Sequence, residues 1–168
     1  NFIVCEDTRR TGLLLSQIKN PSSSLYNILI YYTQGRGEGF SPKLISYYEQ
    51  NELQRIPEIV SLLKAGNDVA LVSDSGTPTI SDPGFKLVRE CLKEGIKIES
   101  IPGPSAVISA LVTSGLPTDK FLFIGFLPKK EGHRKKLLVD LTTILHSMIV
   151  TVIFFEAPHR LVKTLKEL

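Results

Sequence analysis

The sequence predicts an α/β protein built on a largely parallel sheet and divided into two domains. Short apolar runs alternate with stretches of helical periodicity, which is the pattern of successive βα units. Several of these runs end in a polar turn bearing Gly or Pro, after which a capping residue or a proline opens a helix. The alternation breaks at Leu116–Lys120, where Pro117 and Asp119 interrupt it. The domain boundary is placed there, giving an N-terminal α/β domain at 1–116 and the start of a smaller one at 117–168.

The first strand is expected at Phe2–Cys5, and Thr8 is expected to cap a helix whose Leu14, Leu15 and Ile18 share one face. The chain opens inside this apolar strand, without an initiating Met, so a preceding segment is expected. Residues 21–42 read as an insertion, with Leu25–Tyr32 as a candidate strand and a glycine-bearing loop around Gly35-Arg36-Gly37. Pro57 fits the first turn of a helix that runs through Leu63 and stops at Gly66. A strand at Val69–Ser73 leads to a helix capped by Asp82, with Pro83 at its first position and Gly95 past its end. Further strands are expected at Ile96–Ile101, Phe121–Phe126 and Thr151–Phe155, with helices opened by Pro104 and Pro158.

Of the 168 residues, 42% are apolar and 22% charged, enough apolar material for one substantial core or two small ones. No apolar run reaches the roughly 18 residues that a membrane-spanning helix needs, so a soluble, cytoplasmic protein is expected. Cys5 and Cys91 stand alone, without the spacing of a metal site or the density of a disulfide scaffold, and no metal is expected. The net charge is only +3, but residues 120–168 hold 9 Lys and Arg against 4 Asp and Glu, whereas residues 1–119 hold 11 against 13. Such an excess suits an anionic partner or a solvated helix face.

Four segments carry polar chemistry at strand ends. In VALVSDSGTPTISDPG, residues 69–84, the turn lies outside the carboxyl end of a parallel strand, the edge at which open α/β sheets bind ligands. Gly76 permits close approach there, and the Ser75, Thr77 and Ser81 hydroxyls can bond to a ligand; an ordinary side-chain-stabilised turn with a helix cap would look the same. IPGPSA, residues 101–106, repeats the geometry at the next strand end, or is simply a tight strand-to-helix turn. FFEAPHR, residues 154–160, places a carboxylate, an imidazole and a guanidinium together, although Glu156 and Arg160 can pair across one helical turn. CEDTRR, residues 5–10, sets acids beside paired arginines, where helix capping is the competing account.

Taken in order, with ISYYEQNE (residues 45–52) and GFLP (residues 125–128), these segments resemble the tetrapyrrole-methylase superfamily, and within it the branch that methylates small-subunit ribosomal RNA. The resemblance implies two α/β domains that hold S-adenosylmethionine in the cleft between them, in a cytoplasmic homodimer. It also implies 2′-O-methylation of a cytidine ribose in the decoding region of 16S rRNA. Donor contacts would fall on Asp74, Gly76, Thr77 and Ile80, on Ser105 and Ala106, and on Phe155. The chain departs from the family by lacking its first strand and glycine-bearing loop, by a short second domain, by the 21–42 insertion, and by Ser75 where Ala is common.

Methyl transfer to a hydroxyl is an in-line displacement, so alignment and removal of the hydroxyl proton are the tasks. Asp7 and Glu156 are the candidate bases, and Arg9 and Arg160 would orient them or hold phosphate. Arg10, Lys129, Lys130 and Arg134, with Arg160, are the candidate RNA contacts, joined by Lys135 and Lys136. Competing readings are a noncatalytic RNA-binding or ribosome-assembly factor, a methyltransferase acting on a small tetrapyrrole, and a phosphate- or nucleotide-binding domain; a turn with Asp74 and no Lys is a poor phosphate cradle.

Overall fold

The computed structural model describes residues 1–18 and 41–168. The expected strand at Leu25–Tyr32 and the Gly35-Arg36-Gly37 loop lie outside them. The described chain forms two compact units, Asn1–Pro104 and Ser105–Leu168. That division falls ahead of residue 117, so the helix at 106–113 groups with the second unit.

The first unit is a parallel three-stranded sheet. Strand β1 (Phe2–Cys5) lies in the centre, flanked by β2 (Lys43–Ser46) and β3 (Val69–Val72). Phe2 is in register with Lys43 on one side and Val69 on the other, and Cys5 with Ser46 and Val72. The continuous apolar run of β1 suits a strand covered on both faces; Val4 and Cys5 are almost completely buried. Helix α1 (Thr8–Ile18) leaves β1, α2 (Glu52–Lys64) precedes β3, and α3 (Phe85–Lys93) follows it. Val4, Ile45, Tyr47, Ile59, Val60, Leu87 and Cys91 make one continuous core between sheet and helices.

Four local expectations are corrected here. Asp7, not Thr8, caps α1: its Oδ1 accepts the Arg9 N–H at 2.9 Å and its carbonyl accepts that of Thr11 at 3.1 Å. Helix α2 begins at Glu52, so Pro57 lies inside it; the Leu53 carbonyl that loses its donor belongs to an exposed residue, which lowers the cost of the missing bond. Helix α3 begins at Phe85 with Gly84 as its cap residue, because Gly84 holds φ 132° and a Cβ there would stand 2.6 Å from Leu71 Cδ2. Asp82 and Pro83 therefore belong to the turn. Ile96–Ile101 forms no strand: only Ile96 reaches the core, Lys97 pairs with Glu99, and Ile101 is 86% exposed.

In the second unit, Ser105 caps α4 (Ala106–Thr113), its Oγ accepting the Ile108 N–H at 3.3 Å; the helix thus starts two residues after Pro104. Strands β4 (Phe121–Phe126) and β5 (Thr151–Phe155) pair in parallel, joined by α5 (Glu131–Ser147), and α6 (Pro158–Leu165) follows. Thr151 ties Pro117 and Lys120 to β5, donating from Oγ1 to the Pro117 carbonyl at 2.7 Å and from N to that of Lys120 at 3.0 Å. Among the described residues no helix is long and apolar enough to cross a membrane.

Ile59 is fully buried at the middle of the first core, whereas Leu53 on the same helix is 67% exposed. Ile59→Ala is expected to lower unfolding free energy by about 2–5 kcal/mol, and Leu53→Ala by no more than about 0.5 kcal/mol. Urea denaturation followed by circular dichroism measures both.

Candidate functional site

The carboxyl ends of β1 and β3 are neighbours in register, so the two segments that leave them, 6–10 and 73–84, share one edge of the sheet. Such an edge gathers groups from separate parts of a chain because strand ends need no further pairing. The turn after β3 is held by its own hydroxyls: Ser73 Oγ donates to the carbonyls of Ser75 and Gly76 at 3.3 and 3.5 Å. Thr77 Oγ1 donates to the Pro104 carbonyl at 3.2 Å, linking this turn to the one that ends the first unit.

Gly76 sits at φ 76° and nothing lies within 4 Å of where a Cβ would be, and the same open space surrounds Gly103. Backbone groups at both turns are therefore approachable by a ligand. Ile80 is 47% exposed and closes a tight turn, its N–H donating to the Thr77 carbonyl at 3.2 Å. A groove of about 270 Å³ runs beside the end of the turn, between Glu49 and Glu52 on one side and Ser81–Lys86 on the other.

The edge carries several acids. Burial, then the charges of Asp82 and Asp74, push the Glu6 carboxyl above its ordinary value. Asp82 is likewise pushed up by burial and by Asp74, against a hydrogen bond from Ser73. Asp74 meets Arg10 at 3.4 Å, although the Arg10 side chain is 72% exposed. Asp7 behaves in the opposite way: Arg9 donates Nε and Nη2 to its two oxygens at 3.0 and 2.8 Å, and those bonds hold its carboxyl far below the carboxylate range. Among the described residues no group of three or more His, Cys, Asp or Glu is placed to hold a metal ion.

The second unit has its own polar centre. Phe155 packs edge-on against Phe123 at 4.9 Å and tilted against Phe126 at 5.4 Å. Glu156, with its side chain only 3% exposed, accepts the Ala157 N–H at 2.7 Å, Thr164 Oγ1 at 2.7 Å and a guanidinium nitrogen of Arg160. Burial opposes its ionisation, but the bonds from Thr164, Ala157 and Arg160 outweigh that and leave its carboxyl below the ordinary value. Arg160 Nη2 also donates to the Leu127 carbonyl at 3.1 Å, while Nη1 is buried without an acceptor among the described residues. Its charge is met, but its hydrogen-bonding capacity is not exhausted.

These positions sort the residues expected from sequence. Asp74, Gly76, Thr77 and Ile80 share one turn, and Asp7, Arg9 and Arg10 lie on the same sheet edge. Lys129 and Lys130 are exposed, as is Lys136, whereas Lys135 pairs with Glu131 at 2.7 Å. Arg134 is a correction. Its side chain is 5% exposed and donates to both oxygens of Glu167, at 2.6 and 2.8 Å, and to the carbonyls of Pro128 and Lys129. It brackets the GFLP turn with its side chain largely withdrawn from solvent, unlike the neighbouring lysines. Sequence reasoning also missed Glu52, buried at 6% exposure and bound by Lys86 and Tyr47. The motif ISYYEQNE contains it, but in sequence a carboxylate at a helix start looks the same whether buried or solvated.

The whole chain, residues 1–168, matches the sequence profile of the family described as Tetrapyrrole (Corrin/Porphyrin) Methylases. It is 45% identical over 167 residues to a "Ribosomal RNA small subunit methyltransferase I" of Hydrogenobaculum sp., covering 98% of this chain and 61% of that protein. A protein of the same name from Thermotoga maritima is 42% identical over all of this chain and 64% of its own length. One from Escherichia coli O157:H7 is 37% identical over all of this chain and 50% of its own length. The chain thus spans about half to two thirds of the length of these relatives. The parallel sheets and their helices define an α/β protein, and the chain belongs to the tetrapyrrole methylase family.

The raised Glu6 carboxyl generates a prediction with a definite sign. A carboxyl pushed up in the folded state favours folding when protonated, and that contribution is lost as pH rises through the raised value. Glu6→Gln removes the ionisable group, so it is expected to raise the melting temperature at pH 7.5, with a gain that shrinks to nothing as pH falls below the ordinary carboxylate range. Differential scanning calorimetry across pH reads this directly.

Proposed function

We propose that this chain carries the donor-binding part of an S-adenosylmethionine-dependent methyltransferase that acts on small-subunit ribosomal RNA. The observation that carries the reading is the 73–84 turn: an open Gly76 backbone at a parallel-strand end, tied by Thr77 to the Pro104 turn. The residues present fit the donor. Approachable amides and hydroxyls suit its ribose and amino-acid groups, and the Glu6 and Asp82 carboxyls, pushed up by burial and by the Asp74 charge, gain a counter-charge from a cationic ligand such as a sulfonium. The names of the relatives support the RNA substrate, and the exposed Lys129, Lys130 and Lys136 supply sequence-independent attraction to phosphate. The same lysines favour RNA over a small tetrapyrrole.

The finer reading is 2′-O-methylation of a cytidine ribose in the decoding region of 16S rRNA, by a cytoplasmic homodimer. It rests on the resemblance of the ordered motifs, as do the donor contacts proposed for Ser105, Ala106 and Phe155 and the domain boundary near residue 117. When bound, the donor supplies an electrophilic methyl group, and the work left to the protein is alignment and acceptance of a proton. Asp7, locked to Arg9, is a weak base; it caps α1 and aims Arg9, whose side chain is 90% exposed, toward an anionic substrate. Glu156, saturated by three donors, holds Arg160 and the strand-to-helix junction in place.

The test is calorimetric titration of S-adenosylmethionine into the natural full-length protein. Wild type is expected to bind, and Thr77→Arg, which fills the turn and breaks the bond to Pro104, is expected to weaken binding by more than about 100-fold, the loss of roughly 2.7 kcal/mol. Ribose-methylation mapping of small-subunit RNA from cells carrying each form should show one modified cytidine with wild type and none with Thr77→Arg. Absence of donor binding by the wild type would remove the reading and leave a noncatalytic RNA-binding factor in its place.

A further inference from the structure

Two residues of the donor turn hold a backbone that side chains rarely adopt. Thr79 sits at φ 74° and Ser81 at φ 61°. For β-branched Thr79 this is a sterically crowded region, and such conformations persist only where the surroundings impose them. One restraint is packing: Gly84 presses onto β3 and onto Thr79, leaving no room for a Cβ, which would stand 3.0 Å from Thr79 Cγ2.

The other restraint comes from outside the turn. Lys86, two residues past Gly84, donates Nζ to Glu52 Oε1 at 2.5 Å. Glu52 Oε2 accepts the Tyr47 hydroxyl at 3.3 Å, and Tyr47 is buried in the core beside Ile59, Leu87 and Cys91. The Glu52 side chain is itself 7% exposed, while that of Lys86 is half exposed. Both residues line the groove, and their contact bridges it. A lysine on the turn side and a buried carboxylate on the core side give a single polar strut with its foot in the hydrophobic core.

We infer that Glu52 is a positioning residue, which acts through Lys86 to hold the strained 77–84 turn in the form that accepts the methyl donor. The inference rests on the proposed donor-binding role of that turn. Without the strut, Thr79 relaxes out of its left-handed conformation and only a fraction of molecules remains competent, so apparent affinity falls by that fraction. A pair that merely joined α2 to α3 would change stability and leave donor affinity alone.

The experiment measures S-adenosylmethionine affinity by calorimetry and melting temperature for the natural full-length protein and four variants: Glu52→Gln, Lys86→Met, Thr79→Gly, and the double variant Glu52→Gln with Thr79→Gly. Glu52→Gln and Lys86→Met are each expected to raise the donor Kd by about tenfold. Thr79→Gly in the double variant is expected to recover most of that loss, since glycine takes a positive φ without support. Should Glu52→Gln not fold, Lys86→Met at its half-exposed position, alone and with Thr79→Gly, decides the matter. Variants that melt earlier yet bind donor like wild type, or a Thr79→Gly that rescues nothing, overturn the inference while donor binding by wild type stands. Wild type that binds no donor overturns the donor-binding reading and this inference with it.

Discussion

The first unit depends on the burial of β1. Four residues, Phe2–Cys5, give hydrogen bonds to a strand on each side and bury Val4 and Cys5 almost completely. A strand covered this way leaves no polar group unsatisfied along its length, and it can end only where the chain returns to water. Its carboxyl end is that place. Glu6 and Asp7 emerge there beside the turn that leaves β3, so the position of the polar edge follows from the register of the two ladders.

The edge is not a relaxed structure. Burial and the Asp74 charge push up the Glu6 and Asp82 carboxyls, and Thr79 and Ser81 hold unfavourable backbone conformations within a few residues of Asp74 and Asp82. A fold selected for stability alone would have little use for either feature, whereas both are expected where a ligand supplies compensating charge and contact. The restraints that keep the edge in shape lie below it: Gly84 against Leu71, and Glu52 with its foot among core side chains.

The second unit handles charge differently. It places two acid–arginine pairs, Glu156 with Arg160 and Glu167 with Arg134, around the GFLP turn, and both arginines also donate to carbonyls there. Arginine is suited to this because one planar group can serve a carboxylate and a backbone oxygen together. The cations divide accordingly: the two arginines brace the turn, and the lysines at 129, 130 and 136 stay exposed to solvent.

The sequence by itself determined the βα alternation, the strands at Phe2–Cys5, Phe121–Phe126 and Thr151–Phe155, and the turn at 73–84, because periodicity and turn chemistry act over a few residues. It misplaced the starts of α2 and α3 and predicted a strand at Ile96–Ile101, where alternation alone cannot supply a pairing partner. It also read Arg134 as a surface cation and passed over Glu52. Only the tertiary structure decided those, together with the central place of β1 and the release of Thr8 from capping in favour of Asp7. The reason is range: Arg134 meets Glu167 across 33 positions and Lys86 meets Glu52 across 34, so whether each charge faces water or a buried partner is settled when distant elements pack together.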